Sequence, residues 1–108
     1  MASPQKPLIG VTGATGFIGQ VLVNRLLGKG YSVKALVLEQ RNLLPKEAQV
    51  LKGNLVTNKG VKEFLKGVEI LVHLAARLLP PESRMYKDNV IATKNLIHAA
   101  KKFQIKKI

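Results

Sequence analysis

An apolar segment, Leu8 to Thr12, runs directly into three glycines at Gly13, Gly16 and Gly19, and an apolar helical pattern follows at once. Few local sequences restrict a fold so strongly. The first glycine permits a tight turn off a strand. The second lets another backbone or a ligand approach where a Cβ would stand, and the third lets a helix pack closely. The start of such a helix carries amides without intrahelical acceptors and the positive end of its dipole, so it attracts phosphate. A glycine triplet seated between strand and helix therefore predicts a dinucleotide site at Gly13, Gly16 and Gly19, with Thr15 helping to shape the loop.

The rest of the chain repeats the same alternation of strand and helix. Phe17, Ile18, Val21, Leu22, Arg25 and Leu26 recur at helical spacing from Gly16 to Gly28, and Gly28-Lys29-Gly30 supplies a stop. Ser32 to Leu38 is almost wholly apolar, as a strand covered on both faces should be. A third strand is expected over Gln49 to Lys52, a short helix over Thr57 to Lys66 and a fourth strand over Glu69 to Leu74. Ser83 can cap a long helix reaching Lys102, and Gln104 to Ile108 has the character of a fifth strand beginning. Such alternation predicts a doubly wound parallel sheet of the α/β class with helices on both faces. Strands two and three lie to one side of strand one in that layout, and strand four lies to the other, giving the order 3-2-1-4-5. The order reverses beside strand one, and the glycine loop and Leu74-Ala75-Ala76 converge there.

Bulk properties narrow the classes further. At 108 residues the chain is one domain, 46% apolar and free of cysteine, which excludes a disulfide framework, a thiol nucleophile and thiolate metal sites. No apolar run approaches the ~20 residues of a membrane span. Met1 to Pro7 lacks the apolar core of a secretion signal, so a cytoplasmic protein is the default expectation. Eighteen Lys and Arg face six acids, for a net charge of +12. The basic residues are spread along the chain and are not interleaved with aromatics, which makes a nucleic-acid platform the weaker explanation. His73 on a buried strand reads as a satisfied core residue and His98 as packing or surface. Two isolated histidines make no metal site.

Four segments in order carry a resemblance: Thr12 to Gly19, Gly53-Asn54-Leu55, His73 to Ala76, and Asn89 to Ala100. Together they resemble the short-chain dehydrogenase/reductase superfamily, and within it the extended, NAD-dependent epimerase/dehydratase family, whose nucleotide-binding part is a Rossmann fold. The resemblance implies an NAD or NADP cofactor. It places Phe17 and Ile18 amides at the pyrophosphate, Asn54 and Leu55 near the adenine, Leu74, Ala75 and Ala76 beside the nicotinamide ribose, and Asn89 as a supporting residue of the catalytic machinery.

By family spacing the residue that selects NAD or NADP falls on Val37 or Leu38, and neither is acidic. Glu39 stands 20 residues past Gly19, near the usual interval for a ribose-binding acid. Arg41 and Lys34 are candidates to pair with a 2′-phosphate. The missing acid and the positive charge favour NADP.

The family continues through a fifth strand to a Tyr-x-x-x-Lys pair and a substrate region. Neither Tyr31 nor Tyr86 is followed four positions on by Lys. The expectation is therefore an amino-terminal, dinucleotide-binding portion with no turnover of its own, whose small-molecule substrate is met only in a longer form. Self-association through an uncovered sheet edge is also expected. A non-catalytic dinucleotide sensor, an engineered fold fragment and an anionic-surface binder remain open alternatives.

Overall fold

The computed structural model describes residues 6–39, 43–75 and 82–108. Its elements are β1 (Leu8–Thr12), α1 (Phe17–Gly28), β2 (Ser32–Val37), β3 (Gln49–Lys52), α2 (Val61–Leu65), β4 (Ile70–His73) and α3 (Glu82–Lys102). The strands form one parallel sheet in the order β3-β2-β1-β4. Register aligns Thr12 with Leu36 on one side and with His73 on the other. The carboxyl ends of β1 and β4 thus open at the same edge, as the sequence predicts.

Alternation along the strands divides the core between the two faces of the sheet. Ile9, Val11, Val33 and Ala35 pack with Ala14, Val23 and Ala48 on the α1 face. Leu36 and Leu71 join Leu55, Val61, Phe64, Leu65, Val68, Leu96 and Ala100 on the face covered by α2 and α3. Gly10 belongs to that second face. A Cβ there would come within 3.0 Å of the Phe64 ring and of Val68, so the glycine makes room for the fully buried Phe64.

Both long helices end by the same device. After α1, Gly30 is left-handed at φ 87° and donates to Leu27 O, while Tyr31 N reaches back to Leu26 O. After α3, Gln104 takes that role at φ 57°, with its amide on Lys101 O and Ile105 N on Ala100 O. These are Schellman stops, and Ile105 completes the second by packing on the core. Basic residues in the last turns, Arg25 in α1 and Lys101 and Lys102 in α3, lie where the helix dipole favours them.

Element boundaries differ from expectation where turn chemistry intervenes. The short helix begins at Val61 rather than Thr57, because Asn58 and Gly60 are both left-handed (φ 67° and 77°) and break the pattern. The second strand stops at Val37, and Leu38 leaves the sheet. α3 starts at Glu82, one residue ahead of Ser83, whose capping side chain lies outside what the structure describes. In place of a fifth strand, one parallel bridge joins Lys107 to Ile70, fastened by Leu71 N to Lys107 O at 2.8 Å and Lys106 N to Glu69 O at 2.9 Å.

Candidate functional site

The three loop glycines are constrained in three different ways. Gly13 is left-handed (φ 70°), and a Cβ on it would lie 2.6 Å from Leu74 C and from Ala75 N. The turn is therefore pressed against the peptide that leaves β4. A Cβ on Gly19 would lie 2.1 Å from Gly13 O and 2.7 Å from Ala14 Cα, so the helix closes on the loop rather than on the strand. Gly16 is unlike both. Its φ of −73° and ψ of 172° suit any residue, and a Cβ would meet only Gly13 O, at 3.4 Å. Among the described residues, nothing packed around position 16 requires glycine there.

Gly16 is also the N-cap of α1 and offers no side chain to the amides that follow. The first turn contains no acid. Those amides have no intrahelical acceptors and the dipole end lies open, while the Phe17 and Ile18 side chains point to solvent at 87% and 68% exposure. A phosphate fits this seat on chemistry and on space: donors, positive potential, and room that a Cβ at position 16 would fill. Gln20 steadies the turn by donating from Nε2 to Thr15 O at 2.8 Å. A hollow of about 680 Å³ along the outer face of α1 shares only Phe17 with this loop and lies away from the crevice.

The opposite wall is Leu74-Ala75. Leu74 N donates to Thr12 O and to Thr12 Oγ1, both at 3.1 Å, and Ala75 N donates to Thr12 Oγ1 at 3.2 Å. His73 joins the same cluster, with Nδ1 2.6 Å from Thr12 Oγ1 and Nε2 3.1 Å from Thr93 Oγ1 on α3. Burial pushes the His73 imidazole below its ordinary pKa. The expected core histidine is thus satisfied through a hydroxyl relay. Thr93, within the motif on α3, is a member of the site that sequence reasoning missed, and so is Asn95. The Asn95 amide donates to Leu55 O at 2.8 Å and to Val56 O at 3.1 Å, pinning the loop after β3 to α3.

Other expected residues are distributed unevenly. Val37 is buried and Leu38 is 65% exposed at the end of β2, so no acid stands at the strand's end. Glu39 is exposed and has an interaction of its own. Asn54 Oδ1 accepts from Val56 N at 2.8 Å and from Thr57 N at 3.4 Å, an Asx turn that occupies the oxygen expected to meet an adenine. Leu55 is a core residue at 8% exposure. Asn89 lies half-buried on α3, one turn before Thr93, and already has a partner. His98 is exposed on α3. Arg41 and Ala76 lie outside the described residues.

Lys34 is a correction. It is buried mid-strand on the α2 face, where Nζ donates to Glu63 O at 2.5 Å and Lys66 O at 2.9 Å. It caps the carbonyl end of α2 and cannot serve a 2′-phosphate. Burial and, next, the Lys66 charge lower its pKa, against an opposing pull from Glu63. Among the described residues no three His, Cys, Asp or Glu side chains gather to hold a metal, and no helix is long and apolar enough to cross a membrane.

Comparisons with known proteins agree with this geometry. Ceramide reductase of Caulobacter vibrioides is 33% identical over 81 residues, which are 69% of this chain and 25% of that protein. A short-chain dehydrogenase/reductase superfamily protein from Agrobacterium tumefaciens, solved with bound NAD, superposes with a TM-score of 0.79 at 26% identity, over 91% of this chain and 30% of that one. Thermus thermophilus UDP-glucose 4-epimerase, in complex with NAD, also gives 0.79, at 25% identity, over 91% and 35% of the two chains. This chain therefore spans about a quarter to a third of these proteins. The model of the NAD dependent epimerase/dehydratase family matches residues 9–108, and with its four-strand Rossmann sheet the chain belongs to that family.

Proposed function

We propose that this chain binds a nicotinamide dinucleotide by its pyrophosphate, on the amides of Phe17 and Ile18 at the start of α1. Gly13 and Gly19 hold the turn closed. Leu74 and Ala75 form the wall beside the nicotinamide ribose. The observation that carries this reading is Gly16, a glycine that no packing among the described residues requires, placed at a helix start without a side-chain cap. When bound, the nicotinamide supplies hydride transfer to and from a carbon–oxygen centre. The residues here seat it. In a longer protein of this family the substrate and the acid/base pair come from further along the chain, and the 108-residue chain binds without turnover.

We take NADP as the preferred form. No acid stands at Val37 or Leu38 to repel a 2′-phosphate or claim both ribose hydroxyls, and the chain as a whole carries a net charge of +12. With Lys34 committed to α2, the preference rests on these features and on Arg41. Titration with NAD, NADH, NADP and NADPH, followed by thermal shift, tests both levels. Saturable stabilisation by dinucleotides, strongest with the phosphorylated pair, is expected. Equal shifts with all four would overturn the NADP preference, and no shift with any would overturn the binding reading. Reductase turnover by the chain alone would contradict the expected lack of activity.

A further inference from the structure

The loop between β3 and α2 is rooted at the carboxyl end of β2. Gly53 N donates to Val37 O at 2.8 Å, and a Cβ on Gly53 would lie 2.7 Å from the Leu36 side chain. Inside the loop, Asn54 N donates to Lys59 O at 2.8 Å, and Asn54 Oδ1 takes the Val56 and Thr57 amides. Those bonds give the loop its shape without orienting it against the rest of the chain. Orientation comes from two contacts. The Leu55 side chain is buried in the core cluster that includes Leu96, and the neighbouring Asn95 of α3 donates from Nδ2 to Leu55 O at 2.8 Å and to Val56 O at 3.1 Å.

Backbone carbonyls only accept, so Nδ2 and not Oδ1 of Asn95 must face them. The amide has two hydrogens, and each has its own acceptor. The two peptide planes on either side of Val56 are thereby fixed, one by each bond. Val56 itself is 38% exposed, and Leu38, just past the end of β2, is 65% exposed. Large apolar side chains thus stand uncovered on the loop and at the strand end beside it. In a sheet of this topology the ribose of the adenosine half lies at the carboxyl end of the second strand, so the base beyond it lies against this side of the crevice. A flat, weakly polar ring matches exposed apolar side chains.

The geometry points to Asn95 as a positioning residue for the adenosine half of the dinucleotide, holding the loop after β3 so that Val56 forms an apolar wall for the base. This rests on the dinucleotide reading above. Asn95 touches no ligand in this role and acts through the Leu55 and Val56 carbonyls. The diphosphate seat at the start of α1 belongs to a different loop, so loss of Asn95 should weaken the hold on adenosine and leave the hold on phosphate intact.

Two probes separate these effects on the whole chain: ADP, and inorganic pyrophosphate. Both offer a diphosphate to the start of α1, and only ADP carries adenosine. The wild type should bind ADP more tightly than pyrophosphate. Asn95→Asp keeps the shape of the side chain but replaces the donor with an oxygen, and Asn95→Ala removes the group in a residue that favours helix. In both variants ADP affinity should fall by about five- to tenfold as the competent loop becomes a minor population, with pyrophosphate changed less than about twofold. Leu55 stays buried in each, so the fold should persist. Without any ligand, amide exchange at Val56 and Thr57 should accelerate in both variants while that at Val11 in the central strand holds.

Equal losses for ADP and pyrophosphate would make Asn95 a structural residue only and overturn the proposal. Unchanged ADP affinity, or unchanged exchange at Val56 and Thr57, would overturn it too, as would a wild type that binds ADP no better than pyrophosphate. A wild type that binds neither NAD, ADP nor pyrophosphate would instead sink the dinucleotide reading and the adenosine role with it.

Discussion

The two walls of the crevice are built on opposite principles. The β1 wall, Gly13 to Gly19, is shaped by the absence of side chains: two of its glycines are demanded by backbone atoms 2.1 to 2.6 Å from where a Cβ would stand. The β4 wall, Leu74-Ala75, has ordinary residues held by a side-chain relay through Thr12, His73 and Thr93. One wall is limited by volume, and the other by hydrogen-bond direction. Steric walls fail when anything is added. Relay walls fail when a hydroxyl is taken away or a proton is added.

The largest effect should come from adding a methyl group to the first wall. Gly19→Ala places a Cβ 2.1 Å from Gly13 O, a backbone atom that cannot swing aside. Overpacking of a core usually costs ~1–3 kcal/mol, and a clash with backbone belongs at or above the upper end. Against a total stability of order 5–15 kcal/mol for a domain, this variant should unfold at a far lower denaturant concentration and lose dinucleotide binding with its fold. Chemical denaturation monitored by circular dichroism checks it. A midpoint within error of the wild type would mean that the loop can yield and that the first wall is not steric.

Thr12→Val acts on the second wall and should be milder. The isosteric change strands Ala75 N and His73 Nδ1 while leaving the packing of this buried position nearly intact. Leaving buried polar groups unpaired costs about 1–3 kcal/mol. The same denaturation experiment should show a loss of roughly 2 kcal/mol. A loss as large as that for Gly19→Ala would erase the distinction between the walls.

These two walls were not equally legible. The glycine spacing between an apolar strand and an apolar helix announces a backbone-defined turn, because no other residue type satisfies those contacts. The relay needs Thr12 opposite His73, a register fixed only when the strands pair, and a helix that returns to place Thr93 over the ring. His73 was readable as satisfied but its partners were not. Lys34 failed for a related reason: its charge suggested a phosphate, whereas the packing of α2 across the sheet placed two carbonyls within its reach. Asn54 is placed near the adenine by resemblance alone, and the Asx turn that its side-chain oxygen makes with the Val56 and Thr57 amides shows only once the loop has its conformation.

A smaller effect separates the walls by pH. Since burial lowers the His73 pKa in the folded chain, the unfolded state binds more protons as pH drops through 6.5. The sign follows: this contribution to stability is fully present above 6.5 and is lost progressively as pH falls from there through the folded value. Urea midpoints measured from pH 7.5 down to 5 should decline more steeply for the wild type than for His73→Asn. Parallel declines would assign the acid sensitivity to other groups.

The smallest change in stability should come from Gly16→Ser, and it separates folding from binding most sharply. The backbone at Gly16 is already extended (φ −73°, ψ 172°), and among the described residues a Cβ meets nothing closer than 3.4 Å, so serine fits without strain. Serine is among the preferred N-cap residues, and its hydroxyl can accept an amide of the first turn that glycine leaves unpaired. Relative to glycine the gain is only a few tenths of a kcal/mol, so the melting temperature should hold or rise slightly. The same side chain occupies the space proposed for the pyrophosphate and takes one of its donors. Dinucleotide affinity should therefore fall by at least about tenfold, equivalent to ~1.4 kcal/mol, while the fold is unharmed. Wild-type affinity in a stable Gly16→Ser protein would remove the pyrophosphate from the start of α1. Unchanged stability with lost affinity would mean that Gly16, unlike Gly13 and Gly19, is a glycine for the ligand and not for the fold.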